Sequence, residues 1–294
     1  MELTRRQWLL GLVAALVGAV AIASYRAERA TDRLVRDLHA AADTTAGDPI
    51  HADELADLPA PVQRYFETVL PEDQRPVRTA RLEQEGTIQM GEGDDGWKPF
   101  AATQHVTVDP PGFVWDATVE MAPFVDARVV DAYHDGTGTL RATAFGLPVM
   151  SADPGPELDE GELLRYLAEA VWVPTALLPS AGVDWTAVDG DSARATLTDG
   201  DVRATLRFRF GEDGLVRAVS GRRYREETDH EAVWAGRFDA YERHDGRLVP
   251  TEGEVAWRLP EGDVPYWRGT VTAFDYDTGR SRRQTERREP LPGA

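Results

Sequence analysis

From Val202 to Phe210 every second residue is apolar: Val202, Ala204, Leu206, Phe208 and Phe210 alternate with Arg203, Thr205, Arg207 and Arg209. A period of two belongs to an extended strand with one buried and one wet face, and it excludes a helix here. The pattern recurs. Ala80, Leu82, Ile88 and Met90 alternate in a first run, Phe100, Ala102, Val106 and Val108 in a second, Phe113, Trp115, Ala117, Val119 and Met121 in a third, and Val125, Ala127, Val129 and Tyr133 in a fourth. A fifth run lies around 140–145, and further ones at 193–197, 215–224, 231–241, 248–259 and 266–276. Asp-Gly pairs at 135–136, 199–200, 213–214 and 245–246 supply hairpin turns, because both residue types tolerate a left-handed backbone. Turns this short pair successive strands antiparallel. The fold class predicted is therefore mainly β with inserted helices: a curved antiparallel sheet or half-barrel of about ten strands.

One long helical signal interrupts the strands. Within residues 159–179, Leu163, Leu164, Leu167, Val171 and Trp172 recur at spacings of three and four, with Glu162, Arg165 and Glu169 on the other side. Asp159 fits an N-cap, and Pro174 predicts a stop near Trp172. The expectation is a helix over 159–173, its apolar face on the concave side of the sheet and its charged face in solvent. A shorter helix is predicted from Val62, with Val62, Tyr65, Phe66 and Val69 on one face.

The N-terminus is of another kind. Residues 8–25 form an apolar run of about 18 residues, enough to span a hydrocarbon core, and the preceding residues 4–10, with Arg5 and Arg6, resemble a twin-arginine export signal. Ala21, Ile22 and Ala23 offer a cleavage site, but Arg26, Arg29, Arg33 and Arg36 continue a helical pattern, which favours an uncleaved anchor. The domains expected are a signal-anchor or transmembrane helix at 1–26, a helical stalk at 27–52, the β domain at 53–277 and a disordered tail at 278–294. This organisation implies a single-pass protein of the cell membrane. Its orientation is read from two opposed signals: the arginines after the span place the domain inside the cell, the export signature outside. The acidic residues interleaved among those arginines leave the export signature the stronger, so the main domain is expected to be extracytoplasmic.

The net charge of −19, with Lys98 the only lysine, matches proteins that work in high salt, where self-repulsion is screened. It argues against nucleic acid as a partner. There is no cysteine, hence no disulfide, thiolate metal site or cysteine nucleophile. The six histidines, at 39, 51, 105, 134, 230 and 244, form no ligand motif, and neither a phosphate-binding glycine loop nor a serine-hydrolase elbow occurs. No catalytic residue, metal or cofactor is assigned, and an enzyme is the less favoured class. Glu252 and Glu254 share a strand face but equally suit an exposed edge. The arginines at 203, 207, 209, 222, 223 and 225 suit cross-strand pairing better than an anionic headgroup.

Several strings taken together resemble a family of prokaryotic proteins of unknown function: LPAPVQRYF at 58–66, PGFVWDA at 111–117, GELLRYLAEAVWVPTALL at 161–178, EVAWRLPEG at 254–262 and PYWRG at 265–269. The likeness covers residues 58–276 and implies no activity. The arrangement of a long antiparallel sheet with a helix midway also resembles the lipoprotein-localisation (LolA/LolB-like) architecture, in which a curved half-barrel holds a lipid-binding cavity plugged by helices. On that topology the expected ligand is a lipid or other hydrophobic molecule, lined by Trp115, Leu164, Leu167, Val171, Trp172, Trp234, Trp257 and Trp267. A non-catalytic envelope scaffold or protein-interaction module is the alternative, and a carboxylate-dependent enzyme the third.

Overall fold

The computed structural model describes residues 5–45, 47–71, 74–91, 93 and 96–279. Its helices are α1 (Arg5–Ala41), α2 (Ala52–Leu55), α3 (Ala60–Val69) and α4 (Pro156–Glu169). The strands are β1 (Thr79–Gln89), β2 (Trp97–Thr107), β3 (Gly112–Ala122), β4 (Val125–His134), β5 (Thr137–Ala144), β6 (Leu147–Ser151), β7 (Val183–Ala187), β8 (Ser192–Asp199), β9 (Val202–Phe210), β10 (Val216–Arg225), β11 (His230–His244), β12 (Arg247–Leu259) and β13 (Gly262–Asp277). All thirteen form one antiparallel sheet in the order β6-β5-β4-β3-β2-β1-β13-β12-β11-β10-β9-β8-β7. Two meanders therefore meet in the middle, where β1 pairs with the last strand from Thr79 opposite Asp277 to Ile88 opposite Trp267. The turns have the backbone their Asp-Gly pairs promise: Asp135 and Gly136 sit at φ of 51° and 71°, Asp245 and Gly246 at 49° and 82°.

The count of about ten strands is thus too low, and the strands it lacks are the two edges. All five residues of β6 are exposed, so no alternation marks it, and its Pro148 is tolerated only because an edge strand can forgo a ladder bond. β7 has five residues, and no strand is proposed there from sequence.

The chain crosses from edge β6 to edge β7 through α4, which packs on β9 and β10 of one wing and on β3, β4 and β5 of the other. The wings also touch: the Tyr133 hydroxyl of β4 donates to Asp199 at the end of β8, 2.8 Å away. The sheet is thus a half-barrel closed around its helix. α4 starts with Pro156 in its first turn, and Asp159, expected as the cap, instead accepts a bond from the Gly138 amide at 2.7 Å. Beyond Glu169 the helix tightens into 3-10 turns at Ala170–Trp172, Pro174–Leu177 and Pro179–Ala181, since Pro174 and Pro179 have no N–H to extend it. α3 buries Val62, Tyr65, Phe66 and Val69, the face its spacing predicts, and closes one end of the concave surface, where Tyr65 lies 5.8 Å from Phe210 between ring centroids.

α1 is continuous through Ala41. Its second half, expected as a polar stalk, lies along the convex side of the sheet, where Leu38, Leu34 and Val35 cover Val114, Val130 and Ala132. Among the described residues no helix is long and apolar enough to cross a membrane. The side chains of residues 8–13 and 16, part of the apolar run, lie outside the described ones, as does the tail from residue 280.

Candidate functional site

Inward positions on these strands are apolar with a few exceptions, and the exceptions converge. Gln84 follows Ala80 and Leu82 on β1, Gln104 lies between Ala102 and Val106 on β2, Asp131 between Val129 and Tyr133 on β4, and Arg223 continues Val219 and Gly221 on β10. Gln104, Asp131 and Arg223 meet the polar side of α4, and Gln84 joins them through Gln104. Arg223 Nη2 donates to Glu162 Oε1 at 2.6 Å, and Arg165 pairs with Asp131 and, through Nε at 2.8 Å, with Glu169. Gln104 Nε2 donates to Glu169 at 2.6 Å, Gln84 Nε2 to Gln104 at 2.7 Å, and Trp115 Nε1 to Gln84 at 2.8 Å. The Arg165 guanidinium also lies over the rings of Phe113 and Trp115, at 5.0 and 5.1 Å from their centroids.

This corrects the expectation of a solvated charged face on α4. Glu162 is 0% exposed, and both sides of the helix are buried because it packs against both wings of the sheet. Helical spacing assigns one face to the core only when the helix has one neighbour. The signal that betrays the network lies elsewhere in the sequence, in polar residues that break the apolar parity of four separate strands.

Charge in the network does not balance while every group is ionised, since the carboxyls of Asp131, Glu162 and Glu169 face only the guanidiniums of Arg165 and Arg223. Burial, then the neighbouring Asp131, raises the Glu162 pKa well above the ordinary carboxylate value, against the pull of Arg223 and Arg165. Burial disfavours the Arg165 cation, but Glu169, Asp131 and Glu162 more than offset it and raise its pKa. Glu162 Oε2 and Asp131 Oδ1 are both buried and have no partner other than each other's carboxyl group. A proton held on Glu162 neutralises the cluster and supplies the donor that Asp131 lacks. Chemically the arrangement locks a helix to a sheet.

The eight residues expected to line a ligand site fall in or against one buried cluster. Trp115, Leu164, Leu167, Val171, Trp172, Trp234 and Trp267 are buried, and Trp257 is half-buried against them. Trp172 and Trp267 lie 6.4 Å apart, Trp267 is 5.7 Å from Phe100, and Trp257 stacks on Tyr266 at 6.3 Å. Trp234 Nε1 donates to the Tyr266 hydroxyl at 2.7 Å, whereas the indole N–H groups of Trp172 and Trp267 are buried without an acceptor. Trp234, Trp257 and Trp267 lie toward the end of the concave face opposite α3, where Trp267 pairs with half-buried Ile88 of β1, and Trp172 meets them from the 3-10 turn. None of the eight lines the three clefts described, two of which lie beside α1 on the convex side and the third by 47–54 and 175–181.

Other candidates have plain roles. Glu254 pairs with Arg268 at 2.9 Å and Arg237 at 3.7 Å, and Glu252 is exposed, so the two form no acid–base pair. Arg207 pairs with Asp189 at 2.7 Å and Arg222 with Glu231 at 2.6 Å, while Arg223 leaves the stripe for the interior. Among the described residues no group of three acidic, histidine or cysteine side chains is placed to hold a metal ion. His39 of α1 and His105 of β2 share a hydrogen bond of 3.1 Å, and burial, then His39, pushes the His105 pKa down to about 4.

A curved antiparallel half-barrel plugged by a helix through a buried ionic network is the class that fold and site define. The chain belongs to the family of unknown function DUF6920, whose model matches residues 56–276. No curated protein matches the sequence. Among solved structures it is similar to a LolA superfamily protein from Nitrosomonas europaea, with 9% identity, 76% of this chain and 93% of that one covered, and a TM-score of 0.41. It is also similar to a beta-barrel-like protein of the domain of unknown function DUF1849 from Brucella abortus, with 12% identity, coverage of 68% and 98%, and a TM-score of 0.23.

Proposed function

We propose that the protein is a membrane-tethered binder of a lipid or other hydrophobic molecule, held between the concave sheet and α4 with its 3-10 extension. The observation that carries this is the aromatic cluster opposite α3. It holds two buried indole donors, on Trp172 and Trp267, that have no acceptor. A buried donor without a partner costs about 1–3 kcal/mol, and a hydrophobic ligand bearing a carbonyl or carboxylate would satisfy both. Trp257, Tyr266, Ile88 and Met90 are only half-buried, and in this reading the ligand enters past them. Entry displaces side chains of the 3-10 segment, while the ionic network keeps α4 itself in place.

The apolar run at 8–25 is the tether in this account, and the twin-arginine-like Arg5 and Arg6 support an extracytoplasmic domain. Purification of the full chain in mild detergent, organic extraction and mass spectrometry test the binding. One hydrophobic species enriched with the wild type and lost with Trp172→Ala supports the proposal; extracts indistinguishable from the detergent-purified control overturn it.

A further inference from the structure

Two aromatic residues stand at turn tips where an ordinary hairpin would place glycine or asparagine. Phe124, between β3 and β4, has φ of 66° and is 100% exposed; Phe145, between β5 and β6, has φ of 53° and is half exposed. A bulky side chain in the left-handed region is strained, and here burial within the fold does not compensate for it. Beside them Leu147, Val149 and Met150 of β6 are exposed as well. Because the sheet is a meander, the β3–β4 and β5–β6 turns lie at the same end, opposite the turn at Asp135 and Gly136.

α1 passes this end at a definable residue. The backbone of Gly146 touches the helix so closely that a Cβ there would fall 2.1 Å from the Ser24 nitrogen. Ser24, Ala27, Phe124, Phe145 and Gly146 also line one cleft of about 820 Å³. Toward its C-terminus the helix runs down the convex side to Leu38, which lies against Gly112 at the far end of β3. Its other half therefore projects beyond the Phe124 rim. The 20 residues from Arg5 to Ser24, at about 1.5 Å each, make about 30 Å, the thickness of a hydrocarbon core. Tyr25, with the Arg29 guanidinium 5.1 Å from its ring centre, stands where aromatic and basic anchors sit at a membrane interface.

We infer that Phe124, Phe145, Leu147, Val149 and Met150 form a docking rim that inserts into the interfacial layer of the bilayer crossed by α1. The inference rests on the tether proposed above and adds to it an orientation: the domain is pressed against the lipid by its hairpin tips and does not hang free. The turn between β1 and β2, near Ile88 and Met90, lies at the same end, so the aromatic end of the interior faces the lipid. Asp126 beside the rim is acidic, hence insertion is apolar and does not need anionic lipid.

The chain has no cysteine, so single-cysteine variants take one label each. The full chain carrying Phe124→Cys, Phe145→Cys, Val149→Cys or, as control, Thr137→Cys is labelled with an environment-sensitive fluorophore. It is then reconstituted in phosphatidylcholine vesicles with and without nitroxide lipids. The expected result is co-flotation of all four, with blue-shifted emission and loss of intensity to a shallow nitroxide at the first three and neither at Thr137→Cys. Co-flotation with all labels in water overturns the rim and leaves the tether standing. Failure to float removes the tether and the rim together. A blue shift that depends on protein concentration and resists the lipid quencher makes this edge a contact between two copies instead, and overturns the lipid assignment.

Discussion

Replacing Glu162 by glutamine should be nearly silent, and replacing it by leucine should not. The glutamine amide reproduces both contacts of a protonated Glu162, its oxygen toward Arg223 Nη2 and its NH₂ toward Asp131. A change within about 1 kcal/mol is expected near pH 6. Leucine leaves two charged groups, the Arg223 guanidinium, 15% exposed, and the Asp131 carboxylate, without the hydrogen bonds that protonated Glu162 gives them, and losing two such bonds costs about 3–5 kcal/mol. At about 2–4 °C per kcal/mol for a domain of this size, the melting temperature falls by about 6–20 °C. Tryptophan fluorescence during urea and thermal unfolding reads both quantities. pH gives a second test. The folded pKa of Glu162 is raised above its unfolded value near 4.5, so its favourable contribution is complete below that value and is lost as pH rises toward the folded pKa. The glutamine variant has no such loss, and its stability relative to wild type should rise with pH from about 4.5 upward. Equal destabilisation by glutamine and leucine would refute the shared proton, as would a flat difference across pH.

Three further outcomes follow from the same geometry. The pKa of His105 is depressed from 6.5 to about 4, so stability gained from its neutral form is present above 6.5 and lost as pH falls between those values; proteolytic cleavage within α1 should increase over that window, and a His105→Gln variant should show no such increase. Leu167→Ala empties a fully buried position on α4 and should cost about 2–5 kcal/mol by urea unfolding. Raising salt from about 0.1 M to 2 M KCl should raise the melting temperature, because screening relieves a net charge of −19; a decrease would refute the idea of a surface adapted to salt.

Much of the fold is legible in the sequence because most strands have one wet face. The alternation of β9 and the Asp-Gly turns at 135–136 and 245–246 fix strand, register and direction locally, so the meander follows. β6 and β7 escape because an exposed edge needs no apolar face, and Leu147 and Val149 alternate with nothing buried. The candidate site is less legible for a different reason. Glu162, Arg165 and Glu169 look like a solvated face since their partners, Asp131, Arg223 and Gln104, lie 31 to 65 residues away in the chain. Only their departure from apolar parity on β2, β4 and β10 hints that these partners point inward. Phe124 and Phe145 carry no periodic signal at all, and their meaning appears only when backbone conformation and exposure are known together.

The central claim is that the aromatic end of the half-barrel takes a hydrophobic ligand, and energy transfer from tryptophan to an apolar fluorescent probe tests it most directly. The full chain in detergent below its micellar concentration, or in nanodiscs, is titrated with the probe and then with a fatty acid. A saturable signal near one probe per chain, displaced by the fatty acid and weakened at least tenfold by Trp267→Ala while Trp185→Phe leaves it unchanged, is the result expected. A signal that never saturates, or that survives Trp267→Ala and the competitor alike, contradicts the account.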